Sequence, residues 1–174
     1  MSHAHAANVL GALGLALADR LSQAAERAGG SSAAAALATL YGTRAGIHID
    51  GLARVTGLSH SGTVRLVDRL EADGLVERRR GADQRSTAVF LTPAGRRSAR
   101  RVLVDRDAAM HSVLALLTDD QQAELSDLAG RLLGKLADTP AAEARLCRFC
   151  DLEACGRSRG RCPVARPRTR RAAF

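Results

Sequence analysis

Leucines 10, 13, 17 and 21 recur every three or four residues, with Asp19, Arg20, Gln23 and Arg27 mostly off that line. This is the period of one face of an amphipathic helix. Gly29-Gly30 predicts its end, and Ser31-Ser32 offers caps for an Ala-rich second helix that stops at Gly42. Thr43–Asp50 reads as a connector carrying Ile47 and Ile49. A short third helix is predicted over roughly Asp50–Thr56, with Leu52 and Val55 inward. Gly57 supplies a tight turn, Leu58 plugs the corner, and Ser59 caps a fourth helix that runs to about Asp73 and is closed by Gly74. Helix, Gly-containing turn, helix is a helix-turn-helix pattern.

Two strand-like runs follow, Leu75–Arg80 and Thr87–Thr92, around the polar loop Gly81–Ser86. They predict a β-hairpin, or wing. Pro93 suits the first turn of a long helix reaching about Leu117. Thr118-Asp119-Asp120-Gln121 forms a capping box for a sixth helix, whose stripe is Leu125, Leu128, Leu132 and Leu136. Pro140 and the alanines after it mark a boundary before a separate module rich in cysteine and arginine. The expected fold is mainly α with a small β-wing. Its parts are helices over 1–48, the winged helix-turn-helix over 49–93, helices over 94–139 and the module over 140–174. No internal repeat is present.

Composition narrows the picture. Apolar residues make up 46% of the 174-residue chain, enough for a core, but aromatics only 2%. The core must therefore come from Leu, Val and Ala, which suits packed helices. The same shortage disfavours single-strand binding, because bases would have little to stack on. Ala6–Ala18 is apolar, yet no Lys or Arg precedes it and Asp19-Arg20 follows at once. It lacks the flanks of a signal peptide and the length of a membrane span, and reads as part of a buried helix in a cytoplasmic protein.

Charge is segregated. Residues 54–106 hold twelve arginines against six acids, and residues 145–174 nine arginines against two acids. Between them, residues 107–144 hold seven acids against two bases. Basic blocks of this kind favour a polyanion, with nucleic acid the default partner and a solvated face the alternative.

The run LSHSGTVRLVDRLEADGLVERRRGADQRSTAVFLTP at 58–93 resembles the MarR family of winged helix-turn-helix transcription regulators. The matching pieces are RLVDRLE at 65–71, GLV at 74–76, Asp83-Gln84-Arg85-Ser86 and LTPAG at 91–95. With the helix order, the resemblance covers residues 7–138. It implies a homodimer joined by the first and last helices. Two recognition helices would enter successive major grooves of a pseudo-palindromic operator, with half-sites about 34–36 Å apart. It also implies a possible small-molecule effector, often phenolic or aromatic.

Within that frame Ser59, His60 and Ser61 open the recognition helix, where hydroxyls and free N–H groups suit phosphates or base edges. Ser59 doubles as an N-cap. Thr63 is expected at a thymine methyl and Arg65 at a guanine edge. Arg69 either contacts DNA or pairs with Asp68 or Glu71, the second reading being favoured. In the wing, Arg85 resembles the family's minor-groove arginine and Asp83 the acid that braces it. Arg78, Arg79 and Arg80 are expected at phosphates. The chain departs from the family's S-x-S-T-V-T-R by reading S-H-S-G-T-V-R, so Gly62 removes a groove-facing side chain and operator preference should differ.

Cys147, Cys150, Cys155 and Cys162 all lie within 16 residues, spaced C-x2-C-x4-C-x6-C. A cytoplasmic chain seldom keeps such a cluster for disulfides. Four thiolates suit zinc, and the CxxC followed by single cysteines and Cys162-Pro163 suits an iron–sulfur cluster equally well. Free redox thiols are the remaining reading. The five histidines are scattered and no base adjoins the cysteines, so an enzyme is not expected. The expected function is a DNA-binding regulator, a repressor, controlled by the cysteine centre or by a ligand. The alternative is an adaptor whose cysteine module docks a protein partner.

Overall fold

A computed structural model describes residues 2–80 and 87–165. Helix α1 (His3–Ala25) continues through a 3-10 turn into Gly29, which takes a left-handed φ of 85°. Helix α2 (Ser31–Tyr41) is the centre of the molecule. Every residue from Ala33 to Ala38 is buried, as is Leu40. Small side chains on all its faces let neighbouring helices approach closely, which explains a helix without a polar stripe. Its N-cap is Gly30, with no side-chain hydrogen bond, rather than a serine hydroxyl.

Helices α3 (Ile49–Thr56) and α4 (His60–Ala72) follow, then strands β1 (Val76–Arg80) and β2 (Thr87–Leu91). The strands pair antiparallel with Val76 opposite Leu91 and Arg80 opposite Thr87. Ile47 in the connector adds a bridge to Val89 through two backbone hydrogen bonds of 3.0 and 2.9 Å. Helix α5 (Pro93–Leu114) starts at Pro93 with Thr92 as its cap and ends three residues before the expected Leu117. Helix α6 (Asp119–Leu136) carries the predicted Thr118–Gln121 capping box. Helix α7 (Pro140–Leu146) begins where the sequence suggested only a boundary.

The main core gathers Leu37 and Leu40 from α2, Leu52 from α3, Leu66, Val67 and Leu70 from α4, and Val76 and Val89 from the strands. A second cluster joins Ala25, Ala34 and Ala38 to Val102 and Leu103 of α5. Gly95 allows α5 to lie directly on the chain leaving α4. A methyl group there would sit 1.8 Å from the Leu75 carbonyl oxygen, a backbone atom that cannot swing away. Gly95→Ala is expected to cost about 1–3 kcal/mol, seen as a lower urea midpoint. An unchanged midpoint would contradict this packing.

The Ala6–Ala18 stretch is helical but not buried within one chain. Val9, Leu10, Leu13 and Leu15 are all exposed, Leu15 the most. Only the C-terminal end of α1 reaches the core, at Ala25. The stripe on α6 is likewise open, with Leu125, Leu128, Leu132 and Leu136 all exposed. Among the described residues no helix is long and apolar enough to cross a membrane.

Candidate nucleic-acid interface

Gly57 ends α3 in a left-handed conformation, φ 72°, and turns the chain toward α4. Leu58 packs against the core beneath the turn. The Ser59 hydroxyl accepts a hydrogen bond from the Gly62 N–H at 3.1 Å, so it is a helix cap. Ser61 places its hydroxyl 3.3 Å from that of Ser59. His60 Nδ1 lies 2.9 Å from Asp50 Oδ1, which ties the start of α4 to the start of α3.

Burial sorts the two faces of α4. Thr63, Leu66, Val67 and Leu70 face the core, while Ser61, Arg65, Asp68 and Arg69 face solvent. Thr63 is fully buried, and its hydroxyl donates to the Ser59 carbonyl at 2.9 Å. It therefore cannot reach a thymine methyl. Its place on the helix, four residues after the cap and in line with Val67 and Leu70, puts it on the inner face. Arg65 stands at the middle of the exposed face, one turn beyond Ser61.

Asp68 and Glu71 do not go to Arg69. Arg78 of β1 takes both carboxylates, with Nη2 2.6 Å from Asp68 Oδ1 and Nη1 paired with Glu71. The Arg78 backbone N–H also donates to Glu71 Oε1 at 3.0 Å. Burial opposes the charge of Arg78, but the hydrogen bonds to Asp68 and Glu71 outweigh it, so its pKa is raised. Arg78 is thus a positioning residue that locks the wing to α4, and it is not free for a phosphate. The sequence signal was the Asp68, Glu71 pair, three residues apart on the helix edge nearest β1.

Arg79 remains on the exposed side of the wing. It pairs with Glu77 and lies 5.7 Å from the centroid of the Phe90 ring. Arg80 is exposed beside it. Asp83 and Arg85 lie outside the described residues. So does the tail beyond Ala165.

The cysteine module is not separate from the domain. Helix α7 packs against α3, and the Arg145 guanidinium lies over Gly57, where a Cβ would be 3.6 Å from it. Phe149 joins the cluster formed by α1, α2 and α5, and Leu152 fills the space beside Gly42. Cys147, Cys155 and Cys162 share an apolar cluster with Ala137, Leu133, Leu146 and Val164. The thiols of Cys147 and Cys150 hydrogen-bond to each other, as do those of Cys155 and Cys162. That bond and burial push Cys147 up, and the same bond holds Cys150 below its ordinary value. Burial and the Cys162 bond push Cys155 up to about 11. Arg157 reaches the Cys147 sulfur at 3.7 Å. Among the described residues no three His, Cys, Asp or Glu side chains converge closely enough to hold a single ion.

The MarR family profile matches residues 29–86. No curated protein matches the chain. Among solved structures, the MarR family protein Rv2887 of Mycobacterium tuberculosis, in complex with DNA, is 26% identical, with a TM-score of 0.59 over 72% of this chain and 95% of that one. The same protein in complex with p-aminosalicylic acid gives 27% identity, 72% and 96% coverage, and a TM-score of 0.56. A MarR family protein from Bacillus stearothermophilus shares the fold at 20% identity, with a TM-score of 0.66 over 78% of this chain and 95% of that one. The chain thus carries a MarR-family domain at residues 29–86, set in the winged-helix fold of MarR-family regulators.

Proposed function

We propose that this protein is a dimeric, sequence-specific regulator that binds duplex DNA with α4 in the major groove and the wing beside it. The observation that carries this reading is the outer face of α4. It presents Ser61, Arg65 and Arg69 together, while Arg78 fixes the wing alongside. Ser59, His60 and Ser61 would meet phosphates at the helix start. Arg65 would take a guanine edge through two hydrogen bonds. Arg69 and Arg79 would neutralise flanking phosphates. The solved complex of Rv2887 with DNA supports this use of the fold. A dimer bound over a promoter would exclude polymerase, so the proposed action is repression.

The open stripes of α1 and α6 support dimerisation. Leu10 and Leu13 on one helix, and Leu128 and Leu132 on the other, are apolar surface that a second copy would cover. Ligand control is also proposed. A cavity of about 610 Å³ lies between α2, α5 and the cysteine module, lined by Tyr41, Arg100, Leu103, Val104 and Cys150 among others. The p-aminosalicylic acid complex of Rv2887 supports control by a small molecule.

In the wing, the proposal gives Arg85 the minor groove, with Asp83 bracing it. Arg85→Ala is expected to weaken binding to a selected duplex and to flatten the dependence of log affinity on log salt, by up to about one phosphate's worth. Fluorescence anisotropy across a salt series reads both. Unchanged affinity and slope would remove Arg85 from the interface.

A further inference from the structure

Residues 139–165 lie outside the winged helix-turn-helix, yet they touch each part of the chain that a DNA-bound dimer must hold in register. Their first anchor is α6. Leu133 and Ala137 of that helix share an apolar cluster with Leu146 of α7 and with Cys162 and Val164 of the returning chain. Pro163 closes this joint. A methyl group at Gly130 would lie 3.6 Å from the Pro163 ring, and one at Gly134 3.3 Å from its carbonyl oxygen.

The second anchor is the frame of long helices. Phe149 packs on the cluster of Ala25, Ala34, Ala38, Val102 and Leu103. Leu152 fills the space at Gly42, just past α2, where an added methyl would be 2.7 Å from it. The third anchor is α3. Helix α7 packs against it, and the Arg145 guanidinium lies over Gly57, the turn that leads into α4. Arg157 pairs with Glu143, which fastens the later part of the segment to α7. Inside the chain, α6 packs chiefly on α7. That helix also carries the open leucine stripe assigned above to the partner copy. The route from the dimer seam to the helix-turn-helix therefore runs through residues 139–165 as well as through α5 and α2.

We propose that residues 139–165 form a strut that fixes the separation and angle of the two recognition helices, and so sets which half-site spacing the dimer accepts. Arg145, Phe149 and Leu152 are its positioning residues. Close-packed joints resist displacement, so three of them hold an angle that a bare hinge would not. One base pair inserted between half-sites moves one of them by ~3.4 Å and turns it by roughly 35°. A stiff dimer cannot follow, and one head is forced off the DNA. The effect on spacing rests on the proposed dimeric DNA binding, whereas the mechanical tie between α6 and α3 does not.

The test compares the full chain with Phe149→Ala/Leu152→Ala, which loosens the second anchor and leaves α4 and the wing untouched. Fluorescence anisotropy reads affinity on the selected operator, on that operator with one base pair inserted between half-sites, and on a single half-site. The native chain should lose about 100-fold or more on the inserted duplex, because its second head cannot engage. In the double variant this penalty should shrink below about tenfold, with single half-site affinity unchanged. Phe149→Leu/Leu152→Met keeps apolar bulk and should keep the native penalty. Arg145→Ala, at the α3 end, should shrink the penalty without loss on the single half-site. A penalty in the double variant as large as the native one would overturn the spacing role. Equal losses on all three duplexes would show damage to the fold alone and overturn it as well. Hydrogen exchange tests the strut without DNA. In the double variant the amides of residues 53–57 in α3 and 133–137 in α6 should exchange about tenfold faster, with those of α4 unchanged. No change at either end, or a change at only one, would overturn the strut. If both ends respond but the native chain shows no spacing preference, the fault lies in the dimeric DNA-binding reading and the strut stands.

Discussion

Arg65→Ala is expected to abolish selective DNA binding while leaving the fold intact. Arg65 is exposed and lies on the outer face of α4, so its removal opens no cavity in the core. Each bidentate arginine–guanine contact contributes about 1–3 kcal/mol of discrimination. A dimer makes two, so the expected loss is about 2–6 kcal/mol, roughly thirty-fold or more in specific affinity. Affinity for random duplex should fall far less, since one charge among many is lost. Arg65→Lys separates the roles. It keeps the charge but not the planar fork, so nonspecific affinity should be retained and selectivity lost. Equal losses on specific and random duplex would show that Arg65 meets only phosphate.

The second large effect is expected at the apolar stripe of α6. Leu128 and Leu132 are 51% and 53% exposed in the single chain. Replacing both by glutamate should therefore leave helicity unchanged in circular dichroism, yet yield a monomer in light scattering. Glutamates facing each other across a shared apolar seam would be desolvated and mutually repelled. Loss of the second half-site contact should weaken operator binding by about 10²–10⁴-fold, because tethering of the two heads is gone. A variant that stays dimeric would move the dimer interface away from α6.

The elements that could be read from the chain are those fixed by local chemistry. Ser59 and the Thr118–Gln121 box cap the helices they were expected to cap. Gly57 and Gly74 take the left-handed turns that end α3 and follow α4. Each is decided within a few residues, so the sequence carries it openly. The wing strands lie within one residue of their expected ends.

What escaped the sequence depends on distant partners. Arg78 belongs to a strand and Asp68 to a helix, and only the fold brings them within 2.6 Å. On sequence spacing, Arg69 was the nearer candidate for those carboxylates. Thr63 was expected at a thymine methyl, but a 100° step per residue places it on the inner face of α4 with Val67 and Leu70. The leucine stripe of α1 showed an apolar face without showing what covers it, and within one chain its N-terminal half is uncovered. The docking of α7 on α3 had no local signature at all. It joins residues about ninety apart in sequence, and Arg145 reads simply as one more arginine in a basic tail.

The most direct test of the account is selection of binding sites from a random duplex pool by the purified full chain, with Arg65→Ala in parallel. The account predicts an inverted repeat whose half-sites are centred about 10–10.5 base pairs apart, or a multiple of that, with a guanine in each half-site whose enrichment vanishes in the variant. Recovery of no repeat, or the same repeat with and without Arg65, would contradict it.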